Sequence, residues 1–141
     1  LVDEPAAALP GLARAVSEAL GATAVVIEPA PALRLPSGGH GRELAEPILE
    51  RQLGHRGQPL GRLLVGARAP GEQYAADDLE LVAILVRQIA PALDALRLAV
   101  ELQHSREGIV SAREEERRRI RRELHDGLGS ALAGIALTLE A

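Results

Sequence analysis

The sequence predicts an α+β fold, an antiparallel sheet with flanking helices, followed by a long helical coiled-coil stalk. Three observations carry this reading. Apolar residues at helical spacing open the chain and stop at Gly21. Short β-branched and aliphatic runs, punctuated by glycine and proline, fill the middle. From Asp77 onward apolar residues recur every three or four positions.

Leu9, Leu12, Ala13, Val16 and Leu20 form one face of a first helix, and Gly21 stands where glycine is favoured just past a helix end. Thr23-Ala-Val-Val-Ile27 is a strand between Gly21 and Pro29, with Ala32-Leu-Arg-Leu35 as its weaker hairpin partner ahead of a turn at Pro36-Ser-Gly-Gly39. Two more strands, Ala45 to Leu53 and Leu60 to Arg68, flank His55-Arg-Gly-Gln58, a tight turn containing Gly57. Leu63-Leu-Val65 is expected to be their most buried part. Pro47 and Pro59 sit near strand starts, where a missing N–H is tolerated.

Asp77 and Asp78 suit a helix N-terminus, and Leu79, Val82, Leu85, Val86, Ile89, Leu93, Leu96 and Val100 extend the helix that follows. Pro91 lies inside it, so a kink or break near Gln88 to Ala90 is expected. Beyond Val100 the apolar stripe thins, with Gln103, Glu107, Val110 and Glu114 at heptad-like positions before Ile120 and Leu124 resume it. The i,i+4 pairs Glu114/Arg118 and Glu115/Arg119 add only ~0.2–0.5 kcal/mol each. Self-association as a homodimeric coiled coil is therefore the expected source of stability.

Composition narrows the function classes. Net charge is -4, although all 16 basic residues are arginine, as a GC-rich bacterial genome would encode; the balance argues against direct nucleic-acid binding. Tyr74 is the sole aromatic residue, which counts against flat cofactors and single-stranded nucleic acid. Without cysteine there is neither a disulfide nor a thiolate metal site. His40 and His55 stand in glycine-bearing turns and read as surface residues rather than haem or zinc ligands. No apolar run spans a bilayer and no secretory leader pattern opens the chain, so a cytoplasmic location without membrane contact is expected, with a membrane anchor elsewhere in a parent protein compatible.

One segment combines a nucleophile, a charge partner and a helical frame. In Glu115-Glu-Arg-Arg-Arg-Ile-Arg-Arg-Glu-Leu-His-Asp-Gly-Leu-Gly129, an amphipathic helix carries His125 beside Asp126. Ile120, Leu124, Leu128, Ala131, Leu132, Ile135 and Leu139 fall in one arc, and His125 lies about 80° from its centre, at the margin of the apolar face. A neutral imidazole is a competent nucleophile toward phosphorus, and an acidic neighbour can hold the N–H of its other nitrogen. Arg121 and Arg122, one turn earlier, could attract phosphate or an acidic partner. Gly127 and Gly129 each cost a helix roughly 1 kcal/mol relative to alanine, and close approach by a partner would account for them. Taken alone, such a His-Asp pair or arginine run is more often a solvated helical face.

The whole segment, Glu116 to Gly129 followed by Ala131-Leu132 and Ile135-Ala-Leu137, closely resembles the dimerisation and phosphoacceptor helix of two-component sensor histidine kinases of the nitrate-sensor class. The resemblance implies that His125 accepts the γ-phosphoryl group of ATP with Asp126 assisting. It also implies a homodimer that passes phosphate to an aspartate on a response regulator with a helix-turn-helix output. Members of this class often carry glutamine five residues after the histidine, where it positions water for dephosphorylating the regulator. Ser130 stands there instead, a shorter group that puts phosphatase activity in question.

Pro59-Leu-Gly-Arg-Leu-Leu-Val-Gly66 and Gln73-Tyr-Ala-Ala-Asp-Asp-Leu79 resemble a GAF domain, a sensory fold often found ahead of such kinase cores. The family's usual aromatic followed by serine or threonine at the helix start is here Tyr74 and Ala75. The segment that would roof a ligand pocket, Pro36 to Glu43, is short and has no aromatic residue. The expected organisation is a GAF-like sensory or dimerisation domain over 1–98, a signalling linker over 99–112 and the start of the phosphotransfer domain over 113–141. No phosphate loop occurs in the chain. ATP and Mg would bind in a kinase domain elsewhere in the parent, and the chain by itself would hold no cofactor or metal and be inactive. The competing reading is a small-molecule-binding GAF module with a dimerising helix and no phosphotransfer role.

Overall fold

A computed structural model describes residues 4–139, with the side chains of 4–6 and 139 outside the description. Leu139 of the expected apolar arc therefore lies outside the described side chains. The chain divides into two compact units, Leu1–Val100 and Glu101–Ala141.

The first unit holds α1 (Glu4–Leu20), β1 (Ala24–Pro29), a 3-10 turn at Pro31–Leu33, β2 (Gly38–Gly41), β3 (Leu49–His55), β4 (Gln58–Val65) and the opening of α2 (Ala76–Leu139). The strands pair antiparallel in the order β2-β1-β4-β3. One sheet face presents Val25, Ile27, Leu63, Val65, Leu49 and Leu53, which share a single core with Leu9, Ala13, Val16 and Leu20 of α1 and Val82, Ile89, Ala90 and Leu93 of α2. Alternation turns Glu28 and Arg62 to the other face, where Arg62 pairs with Glu28 at 2.7 Å and Glu50 at 3.4 Å.

Gly21 ends α1 at φ +65°, and the Ala22 N–H donates to the Ser17 carbonyl at 3.1 Å, the six-to-one bond of a Schellman cap. Arg56 and Gly57, at φ 51° and 78°, make the two-residue turn between β3 and β4, whose twist suits a hairpin. The register shifts between Leu53/Gly54, leaving Leu60 as the extra residue of a bulge. That bulge turns Leu60 into the core, at 1% exposure, while its carbonyl accepts the Ala30 N–H at 2.8 Å. The adjoining Gly61 sits at φ +144°, and a Cβ there would collide with the Glu28 carbonyl.

Three expectations need correction. Ala32–Leu35 is not a strand: Pro31–Leu33 forms a 3-10 turn and Arg34 closes it in the left-handed region at φ 52°. The partner of β1 is β2, which occupies part of the stretch read as turn and loop. Side-chain pattern cannot mark Gly-Gly-His-Gly as a strand, yet Gly38 is what lets it lie close, because a Cβ there would strike Leu9 and Pro10 of α1. Third, of the kink or break expected near Gln88 to Ala90, the break does not occur: α2 continues through Pro91. Proline removes one bond, to the carbonyl of exposed Arg87, where water can substitute, while buried Ile89, Ala90 and Leu93 fix both sides of the ring. The strand expected from Ala45 begins at Leu49, past Pro47, and the one expected to reach Arg68 ends at Val65.

Candidate functional site

Among the described residues, the second unit is the remainder of α2, 101–139. In the single chain every described residue from 101 to 138 is exposed, His125, Asp126, Arg121, Arg122 and Ser130 included. The expected apolar arc faces solvent: Leu124 is 60% exposed, Leu128 62% and Leu132 65%. A lone helix offers these side chains nothing to pack on, so the row of leucines is a surface that association would bury.

On this helix Arg118, Arg121 and Arg122 lie about 20°, 40° and 60° around the axis from His125, one to two turns toward the N-terminus. Asp126 lies about 100° away, and neighbouring residues on a helix do not face each other. Accordingly no hydrogen bond joins the His125 and Asp126 side chains, and neither side chain, nor that of Arg121 or Ser130, has a hydrogen-bond or ion-pair partner among the described residues. Arg122 Nε donates to the Arg118 carbonyl at 3.4 Å.

Arg119 is engaged differently. Its Nη2 and Nε bond the Glu116 carboxylate at 2.7 and 3.0 Å, and its Nη1 lies 3.5 Å from Glu123. The bond from Arg119 lowers the Glu116 pKa, and Glu116 raises that of Arg119. Thus the expected Glu115/Arg119 pair gives way to Glu116 and Glu123, and Glu114/Arg118 does not form among the described residues. The three-residue step from Glu116 lets a short, bidentate contact form. Arg119 is thereby tied up while Arg121 stays available beside His125.

A Cβ at Gly127 or Gly129 would meet nothing within 4 Å. Nothing among the described residues requires glycine at either place, which leaves room on the helix surface C-terminal to the imidazole. Ser130 follows on that side, about 140° around from His125.

Sequence reading missed a second constellation, in the first unit. Arg68 Nε donates to the Leu20 carbonyl at 2.6 Å, its Nη1 and Nη2 bond Asp78 at 3.1 and 2.6 Å, and its guanidinium carbon lies 5.0 Å from the Tyr74 ring centre. The Tyr74 hydroxyl donates to the Gly66 carbonyl at 2.7 Å. Asp78 also accepts the Ala75 N–H at 2.9 Å, the carboxylate half of a capping box. The Arg68 and Ala75 bonds hold the Asp78 carboxyl below its ordinary value; burial pushes the Tyr74 phenol up. Beside it, Ile48, Leu49, Arg51, Ala67, Tyr74 and Leu79 line an open groove of ≈ 440 Å³. The sequence signals were Asp78 three residues beyond Ala75 and the lone tyrosine ahead of the helix.

His40 is exposed on β2 and His55 half-buried at the end of β3; among the described residues no group of three or more His, Asp or Glu is placed to hold a metal. None of the described helices is long and apolar enough to cross a membrane.

Residues 116–141 match the family model HisKA_3, described as histidine kinase. The match supports a phosphoacceptor and dimerisation role in two-component signalling for this helix, with His125 inside the matched span. No curated protein matches the chain.

Proposed function

We propose that this chain is the sensory and phosphoacceptor portion of a two-component sensor histidine kinase of the nitrate-sensor class. The observation that carries the reading is His125 standing exposed on an unbroken helix inside the span that matches the histidine kinase model. The neutral imidazole attacks the γ-phosphorus of ATP held by a kinase domain of the parent; the bond from phosphorus to the bridging oxygen breaks and ADP leaves with that electron pair. The acquired positive charge rests on the ring, whose remaining N–H Asp126 accepts once the loaded assembly brings the two together. The phosphoryl group then passes to an aspartate of a response regulator with a helix-turn-helix output.

Arg121 and Arg122 stabilise phosphate or the acidic partner from the turn before His125. The exposed leucines pair with those of a second copy, giving a homodimer. Over residues 1–98, helices flanking an antiparallel sheet support a GAF-like sensory or dimerisation domain, and its groove beside Tyr74 is where a small molecule would be sought.

The experiment is labelling of the parent protein with γ-labelled ATP and Mg. Phosphate should appear on the segment containing His125, labile to acid and stable to base, and should vanish in His125→Gln. Label that persists in that variant would end the assignment.

A further inference from the structure

We infer that Arg68 is a latch: one guanidinium, from a residue outside either helix, that fastens the first turn of α2 to the end of α1. Three contacts make it so. Arg68 Nε, at 2.6 Å, satisfies the Leu20 carbonyl, one of the groups that the end of α1 leaves without a helical partner. The two terminal nitrogens grip both oxygens of Asp78, whose carboxylate also caps the Ala75 N–H. The guanidinium carbon lies over the Tyr74 ring, 5.0 Å from its centre, and Tyr74 is itself bonded to the Gly66 carbonyl just past β4.

A guanidinium serves all three partners at once because its donors are fixed in a fork; a lysine ammonium could not reproduce that geometry. The latch is also placed to respond. Tyr74 and Leu79, on either side of Asp78, both line the ≈ 440 Å³ groove, so an occupant of the groove touches residues flanking the latch. Release of Arg68 leaves the Asp78 carboxylate, which caps the Ala75 N–H, without its cationic partner and frees the tyrosine at the lip of the groove. This inference rests on the first unit alone and is independent of His125.

Amide hydrogen exchange on the full chain tests it, with Tyr74 fluorescence as the second readout, since no other aromatic residue is present. In Arg68→Ala, amides from 67 to 80 should exchange at least roughly tenfold faster, the factor expected from losing one charge-assisted hydrogen bond, while Leu63–Val65 stay protected. Tyr74 anisotropy should fall. Arg68→Lys should show the same local acceleration to a smaller degree. Unchanged exchange over 67–80 would overturn the latch, and so would uniform acceleration across the unit, which marks a general stabiliser. Should Arg68→Ala not fold, Arg68→Lys decides by the same two criteria.

Discussion

Asp78 holds both terminal nitrogens of Arg68, at 3.1 and 2.6 Å, from the first turn of α2. Its carboxyl faces Arg68, the Ala75 N–H and Tyr74, with Glu72 acting on the same arginine. Hydrogen bonding to Arg68, then to Ala75, keeps its pKa below the ~4 of a free carboxyl. A depressed folded-state value stabilises the fold fully above that range and ceases to do so as pH falls through it. The melting-temperature difference between the wild-type chain and Asp78→Asn should therefore be larger at pH 7 than at pH 3. A difference that does not change with pH would show that the charge of Asp78 contributes nothing.

Glycine requirements differ between the bulge in β4 and the hairpin turn before it. Gly61 combines φ +144° with a Cβ position that would strike the Glu28 carbonyl, whereas Gly57, at φ +78°, faces open space. Gly61→Ala should cost about 1–3 kcal/mol in backbone strain alone, plus the displacement of β1. Gly57→Ala should cost roughly 1–2 kcal/mol. Urea denaturation of both variants checks the order, and a Gly57 variant as damaging as the Gly61 one would contradict the crowding argument.

Leucines in the two units should respond in opposite ways. Leu53, at 1% exposure, sits in the core of the first unit, so Leu53→Ala should cost about 2–5 kcal/mol. Leu124 is 60% exposed in the single chain, and Leu124→Asp should leave the unfolding of the first unit within about 0.5 kcal/mol. The same substitution should lower the mass of the chain in solution if the leucine row pairs with a second copy. Light scattering at matched concentrations measures this, and a mass unaffected by Leu124→Asp would remove the leucine row from the dimer.

Legibility followed the range of the interaction. Gly21, the Arg56-Gly57 hairpin and the buried Leu63-Leu-Val65 run were readable because turn chemistry and alternation act between neighbours. The glycine strand β2 was not, since its place is set by how closely Gly38 can approach α1, a contact between residues far apart in sequence. Pro91 leaves the helix unbroken for the complementary reason: its local cost is real, but packing of Ile89, Ala90 and Leu93 holds the helix together across it. In the site, the His125-Asp126 segment stood out because its pattern is contiguous. Arg68 did not, because its partners are Leu20 and Asp78, 48 and 10 residues away, and an arginine after a strand has no local signature.

Ser130 supplies the last prediction, which rests on the kinase reading. The kinases that the segment resembles often have glutamine at this place, and a serine hydroxyl ends nearer the backbone than a glutamine amide. Ser130 has no partner among the described residues, so Ser130→Gln disrupts no existing contact and projects an amide into solvent on the C-terminal side of His125. In the parent protein, phosphorylation of His125 should be little changed. Loss of phosphate from the response regulator should accelerate on the order of tenfold, as positioning of the attacking water is restored. Following labelled regulator after removal of ATP measures the rate; an unchanged lifetime would mean that Ser130 is not what limits dephosphorylation.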